Sequence, residues 1–98
     1  MSSPVPRATD EAVATARAAA QAISDKKGED VMLLDLSRLL VVTDVFLIAS
    51  GTSTRHVKTL VEDAEVALRE LGRKPIRREG MEHGEWVLLD YGDVVLHV

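Results

Sequence analysis

The stretch Ser50 to Val57 constrains the fold of this chain most, because it joins a buried strand to an amphipathic helix through a glycine turn. Ahead of it, Val45 to Ala49 is an apolar run typical of a buried strand. Behind it, apolar residues recur at helical spacing, at Val57, Leu60, Val61, Ala64, Leu68 and Leu71. The turn therefore offers backbone N–H groups to an anion, with Gly51, Ser53 and Arg55 as the candidate anion-binding residues.

Nucleotidyltransferases use such a turn, and they also need a pair of metal-holding acids on the next strand. Here the next strand along the chain is Pro75 to Glu79, in which Arg77 and Arg78 accompany a single glutamate. Mg²⁺ prefers oxygen ligands, so two arginines serve it poorly. The sequence therefore predicts a binding protein rather than an enzyme. The alternative is an active nucleotidyltransferase or a nucleotide-binding regulator that uses the Gly51 turn.

No other group of residues in the sequence indicates catalysis or metal binding. The chain has no cysteine, and its three histidines lack the spacing of a zinc site. Asp90 and Asp93 flank a turn, where aspartates usually accept hydrogen bonds from the local backbone. No serine has the surroundings of a nucleophile elbow. We therefore expect no catalytic residue, no metal and no cofactor.

Length and charge narrow the class of protein further. Of the 98 residues, we expect 1–8 to form a disordered start and 9–98 to form a single domain. No apolar run approaches the roughly 18 residues of a membrane-spanning helix, and the N-terminus lacks the core of a signal peptide. We expect a cytoplasmic protein without membrane contact. The net charge of −4 argues against tight, sequence-independent nucleic-acid binding.

The first half of the chain predicts a helix and a strand before the glycine turn. Thr9 is placed to cap a helix that ends at Lys26-Lys27-Gly28. Its inward positions are mostly small, at Ala12, Ala16, Ala19, Ala20 and Ile23. The continuous apolar run Val31 to Leu34 predicts a central strand that is covered on both faces. The pattern leaves Leu39 to Val42 open between a strand, a helical turn and an extended connection.

The second half predicts three strands after the second helix. Pro75 to Glu79 has the proline and the charges of a polar edge strand. Two further strands, Trp86 to Asp90 and Asp93 to Val98, are joined by a tight turn at Tyr91-Gly92. Arg73 and Lys74, just before Pro75, are interpreted as solvated cations at the end of the second helix.

Two stretches in this order, Asp44 to Val57 and, after Gly80, Trp86 to Val98, resemble the ribosomal silencing factor family, also called RsfS or Iojap. The resemblance runs from about Asp30 to Val98. It implies a nucleotidyltransferase-like α/β fold, a mixed β-sheet packed with helices, that is catalytically incomplete. It also implies binding to ribosomal protein fourteen of the large subunit. Such binding would sterically block joining of the ribosomal subunits and repress translation when nutrients are scarce.

The resemblance also implies which residues meet the partner. The tryptophan of the family's partner-binding surface corresponds to Trp86, and Tyr91 follows as a turn residue of that surface. We assign Asp90, Arg77 and Arg78 to the same surface, with a peripheral contact to ribosomal RNA as a second role for the arginines. Family members continue past His97-Val98 into an aromatic and leucine-rich helix. Without that helix, we expect uncovered apolar surface and a homodimer when the protein is free.

Overall fold

A computed structural model describes residues 9–38 and 43–98 of the chain. Within these ranges the elements are α1 (Asp10–Asp25), β1 (Glu29–Asp35), β2 (Val45–Ser50), α2 (Thr54–Glu70), β3 (Arg77–Glu79), β4 (Leu88–Asp90) and β5 (Val94–His97). The predicted disordered start and the run 39–42 lie outside the described residues. The predicted mixed α/β class is confirmed.

The strands form one mixed sheet in the order β1-β2-β5-β4-β3. β2 and β5 run parallel at its centre, whereas the other neighbouring pairs are antiparallel. The parallel pair needs a long connection, and α2 together with the β3 and β4 strands supplies it. The predicted hairpin of the last two strands is confirmed, and so is the predicted polar edge strand, since the three residues of β3 are exposed and β3 lies at one edge of the sheet.

The hydrophobic core lies between one face of the sheet and the two helices. In the ladder, Val45 pairs with Val94 and Leu47 pairs with Leu96, and all four are buried. Their neighbours in sequence point to the opposite face, because side chains alternate along a strand. No described element packs on that opposite face. We call it the open face of the sheet.

The helix α1 begins where the sequence predicts. The hydroxyl of Thr9 accepts a hydrogen bond from the Ala12 N–H at 3.0 Å, as an N-cap residue does. The predicted inward positions are buried, apart from Ala20, which is partly buried against the core. None of the helices within the described ranges is long and apolar enough to cross a membrane.

The helix α2 buries most of its predicted stripe, namely Val57, Leu60, Val61, Ala64 and Leu68. Ser53 caps it, with its hydroxyl accepting from the His56 N–H at 3.1 Å. The prediction that Leu71 belongs to the buried stripe is wrong, because this residue is 54% exposed. It follows the last helical residue as the C-cap, where the turn to Gly72 carries its side chain away from the core.

The prediction that Val31 to Leu34 forms a central strand is also wrong. β1 is an edge strand, with Met32 51% and Leu33 39% exposed. Among the described strands it pairs with β2 alone, and the parallel β5 lies on the other side of β2. A bulge after Glu29, with Asp30 at φ 51°, further twists its start.

Arg73 ties the last hairpin to the first helix, so its interpretation as a solvated cation is wrong. Its guanidinium donates to the Asp93 carboxylate at 2.6 Å and to the Tyr91 carbonyl at 3.1 Å. It also donates to the hydroxyl of buried Thr15 in α1 at 3.0 Å. The hydrogen bond with Asp93 raises the pKa of Arg73 above its ordinary value, despite the opposing effect of partial burial.

The ring of Tyr91 is buried beneath Arg73, with the guanidinium carbon 6.0 Å from the ring centroid. Its hydroxyl has no hydrogen-bond partner among the described residues. Burial, followed by the charge of Glu65, raises the pKa of this phenol to about 12. The neutral phenol is therefore the form that the fold favours.

We predict that Arg73→Ala lowers the free energy of unfolding by about 2–3 kcal/mol, because it leaves the buried Thr15 hydroxyl and the Asp93 carboxylate without their donor. Chemical denaturation measures the change. Lys74→Ala, at the adjacent exposed position, is the matched control and should change stability by less than about 0.5 kcal/mol. Equal losses in the two variants would contradict the role given to Arg73.

We predict a stability loss above pH ~10 that depends on Tyr91, the single tyrosine of the chain. The pKa of Tyr91 is raised in the folded state. The contribution of its neutral phenol to the free energy of unfolding is therefore complete below the ordinary phenol pKa and is lost as the pH rises toward about 12. Phenolate absorbance and denaturation, followed together across this pH range, measure it.

The matched variant is Tyr91→Phe, which removes a hydroxyl that has no partner. At neutral pH its stability should equal or exceed that of the wild type by up to ~1 kcal/mol. Between pH ~10 and ~12, this variant should lose less of its free energy of unfolding than the wild type does. An unchanged alkaline loss would show that another group causes it.

Candidate partner-binding surface

Three aromatic side chains form a row across the open face of the sheet. His97 on β5 lies between Phe46 on β2 and Trp86 ahead of β4. Its ring stacks on Phe46 at a centroid distance of 6.2 Å and meets the edge of Trp86 at 6.1 Å. We call this group the aromatic row. Its contacts give each ring a fixed neighbour, since aromatic pairs favour stacked and edge-to-face geometry.

Apolar side chains surround the aromatic row on the same face. The pairings of Leu34 with Phe46, of Met32 with Ile48, and of Leu88 with His97 place these residues side by side. Most of them are half-buried rather than buried, because no described element covers the open face. The result is a continuous apolar surface on the outside of the domain, a feature that commonly marks a site of protein contact.

Trp86 is 50% exposed, so its ring lies at the surface and not in the core. A tight turn holds its backbone, because a Cβ at Gly80 would overlap the carbonyl oxygen of Trp86. Gly80 itself adopts φ 85° and accepts a hydrogen bond from the Gly84 N–H at 3.0 Å. The next residue, Val87, exchanges two backbone hydrogen bonds with Val98. The exposed ring therefore stands on a fixed backbone.

Charged groups border the aromatic row at the β3 end of the open face. The Arg77 guanidinium lies 3.3 Å from the Glu79 carboxylate and 3.7 Å from that of Asp90. Asp90 also accepts a hydrogen bond from the Gly92 N–H at 2.8 Å, which confirms the expected role of a turn aspartate. An apolar centre with a charged border is the usual anatomy of a protein–protein interface.

The structure corrects the placement of Tyr91 and Arg78. Tyr91 is only 4% exposed and faces the core, so it cannot be an exposed residue of this surface. Arg78 pairs with the buried Leu89 and reaches the Glu65 carboxylate on α2 at 3.3 Å. Each is the chain neighbour of a residue on the open face, and neighbours in a strand point to opposite sides.

Phe46 and His97 were not among the residues predicted from the sequence. The signal was present, because β2 and β5 alternate between buried residues and residues that are only half-buried. However, period-two alternation does not tell which face of a sheet stays uncovered, and it does not place two strands side by side.

The Gly51 turn is closed by a side chain of its own helix. The ring of His56 accepts a hydrogen bond from the Thr52 N–H on Nδ1 at 2.9 Å, so the proton is assigned to Nε2. That nitrogen donates to the Lys26 carbonyl at the end of α1, at 2.8 Å. Ser53 is used as the helix cap. One backbone N–H of the proposed anion site is therefore already bonded within the protein.

The strand that carries Arg77 and Arg78 lies away from the Gly51 turn. β3 is separated from β2 by β4 and β5, although it is the next strand along the chain. The carboxylate nearest the turn in the ladder is Glu29, which pairs with Ser50. Within residues 9–38 and 43–98, no three His, Asp or Glu side chains are grouped so as to hold a metal ion.

A family model and two sequence relatives share one description. The model of the family "ribosomal silencing factor during starvation" matches residues 9–98. Ribosomal silencing factor RsfS of Chromobacterium violaceum is 45% identical over 80 residues, 82% of this chain and 66% of the relative. The RsfS of Bacillus subtilis is 39% identical over 80 residues, 82% of this chain and 68% of the relative.

A solved structure supports the same likeness. A crystal structure of a Chromobacterium violaceum protein superposes with a TM-score of 0.85 at 41% identity. The match covers 89% of this chain and 72% of that chain. The chain spans about two thirds of the length of the two sequence relatives.

We predict that ATP, CTP and GTP with Mg²⁺ show no binding at micromolar concentration by calorimetry. The described residues provide no group of three His, Asp or Glu side chains that could hold the metal, and His56 occupies the Thr52 N–H. A micromolar dissociation constant that is lost in Ser53→Ala plus Arg55→Ala would contradict the prediction. Because Ser53 caps α2, Arg55→Ala alone separates loss of binding from loss of the helix end.

Proposed function

The chain belongs to the ribosomal silencing factor family, and from this membership we propose that it binds ribosomal protein fourteen of the large ribosomal subunit. In that position it would sterically block joining of the two subunits and repress translation under nutrient limitation. The proposal places the protein in the cytoplasm, where ribosomes are. It requires no catalytic group, cofactor or metal, since affinity and position replace chemistry.

The observation that carries the proposal is the exposed Trp86 at the end of the aromatic row. Large aromatic side chains on a fixed backbone are the commonest anchors of protein interfaces. The surrounding apolar side chains supply the area that a partner removes from water, and Arg77 and Asp90 supply a charged border. Such an extended surface suits a folded protein partner better than a small ligand, which needs a concave pocket.

Charge favours a ribosomal protein over ribosomal RNA as the main partner. The chain carries a net charge of −4, and phosphate binding needs a clustered basic surface. Arg77 is already paired with two carboxylates, and Arg78 with one. We therefore assign Arg77 to the border of the protein interface. Any contact of Arg77 or Arg78 with RNA is peripheral in this proposal.

The rival function is that of a nucleotidyltransferase or nucleotide-binding regulator using Gly51, Ser53 and Arg55. The proposed fold relationship to nucleotidyltransferases gives this rival its basis. Against it stand the helix-capping role of Ser53 and the hydrogen bond from Thr52 to His56. Gly51 has a packing role as well, because a Cβ there would meet Val57 at 2.9 Å.

The direct test mixes purified large and small ribosomal subunits under conditions that favour joining, with and without the protein. Sedimentation should show fewer joined ribosomes and the protein in the large-subunit fraction. The effect should be larger when the protein meets the large subunit before the small one. Unchanged joining at saturating protein would refute the anti-association function, and absence from the large-subunit fraction would refute the binding step.

We predict that Trp86→Ala weakens binding to large subunits by about 30- to 1,000-fold, equivalent to ~2–4 kcal/mol. The physical reason is the loss of the exposed anchor ring and of its edge contact with His97. Co-sedimentation with large subunits at several protein concentrations measures the shift.

Val66→Ala is the matched control, since Val66 is 48% exposed on α2, which packs on the other side of the sheet. It should bind as the wild type does. Both variants should keep their thermal transitions within a few degrees of the wild type, because exposed side chains contribute little to the core. A folded Trp86→Ala protein with unchanged affinity would remove Trp86 from the interface.

A further inference from the structure

Within the described residues, the outer edge of β1 is left open beyond the bulge at its start. β1 pairs with β2 on one side, and no strand of the described ranges lies on its other side. Natural edge strands are usually short or are interrupted by proline, lysine or other inward charges. β3, at the opposite edge, follows this rule with only Arg77, Arg78 and Glu79. β1 has seven residues and an apolar middle, Val31 to Leu34.

The side chains of this edge offer apolar contacts on both faces of the sheet. Met32 is 51% exposed on the open face. On the helix face, Leu33 is 39% exposed and borders a groove of about 140 Å³ between α1 and β1, with Val13, Ala16, Arg17, Asp35 and Val45 as its other lining residues. A strand added to β1 would place alternate side chains in this groove and beside Met32, because side chains alternate along a strand.

The charges at the ends of β1 select the kind of strand that fits. Glu29 and Asp30 are exposed at its start, and Asp35, bonded to Ser37, ends it. A partner strand with acidic residues would place like charges beside Glu29 and Asp30. Like charges placed opposite each other destabilise a strand pair. A partner strand with basic residues would instead find opposite charges.

We propose that the outer edge of β1 takes up an extended, basic segment of another protein by strand addition. Its backbone bonds to β1, its apolar residues meet Leu33 and Met32, and its lysine or arginine lies near Glu29 and Asp30. This surface shares Met32 with the open face, but its centre is the edge of β1, and β2 and β5 separate β1 from β4 by about 14 Å across the sheet. The inference goes beyond the proposed function.

The test uses the isotope-labelled protein and a short synthetic peptide that alternates valine and threonine between terminal lysines. Amide shifts in a nuclear magnetic resonance titration should concentrate on residues 29–35 and on α1 beside them. The same peptide with terminal glutamates should bind about five- to tenfold more weakly, since attraction at each charged end becomes repulsion. A peptide with proline at its centre should cause no shifts, because proline cannot donate to the ladder.

Leu33→Lys should weaken binding of the lysine-ended peptide. Val66→Lys, at a comparably exposed position on α2, should leave that binding unchanged. The peptide series with the wild-type protein needs no variant to fold. The inference is overturned if the glutamate-ended peptide binds equally well, or if the shifts fall on the aromatic row. It is also overturned if β1 amides shift with protein concentration alone, which would make a second copy the occupant. None of these outcomes depends on whether the protein blocks subunit joining.

Discussion

The parallel pairing of β2 with β5 is the constraint on which both the core and the aromatic row depend. Its register places Leu47 beside Leu96 under the helices, and Ile48 beside His97 on the open face. A slip of one residue in β5 would bury the imidazole of His97 and expose the side chain of Leu96. Antiparallel ladders join β1 to β2 and β4 to β5, so the register of this pair also decides which side chains of β1 and β4 face the helices. The same register therefore decides which side chains lie on the open face and which form the core.

Periodic and local features of the fold could be predicted from the sequence, whereas the neighbours of each strand could not. The cap at Thr9, the buried stripe of α2 and the polar edge at β3 each depend on spacing within a few residues. The position of β1 depends on which strand pairs with which. An apolar run such as Val31 to Leu34 has the same pattern at the centre of a sheet and at an exposed edge. Only the strand order distinguishes the two.

For the candidate site, the sequence proposed Trp86 as the anchor, and the structure exposes this residue, but the sequence predicted only some of the residues that surround it. Trp86, Asp90 and Arg77 share the border of the open face. Tyr91 and Arg78 were assigned to that surface because they adjoin those residues in the chain, which is the reason they face away from it. Arg73 was missed for another reason. Its hydrogen-bond partners are 18, 20 and 58 residues away in the sequence, so no local pattern predicts these contacts.

In the proposed function, the open face lets a domain this small bind a partner without a pocket. Trp86 keeps half of its surface in water, and burying the remaining ~100 Å² of its ring supplies ~2.5 kcal/mol. Each exposed ion pair at the border, such as that of Arg77 with Asp90, supplies about 0–1 kcal/mol. In the proposed function, affinity would therefore reside in the apolar centre, while the charges would orient the partner. Because helices cover one face only, the sheet can stabilise the fold with that side and leave the other for contact.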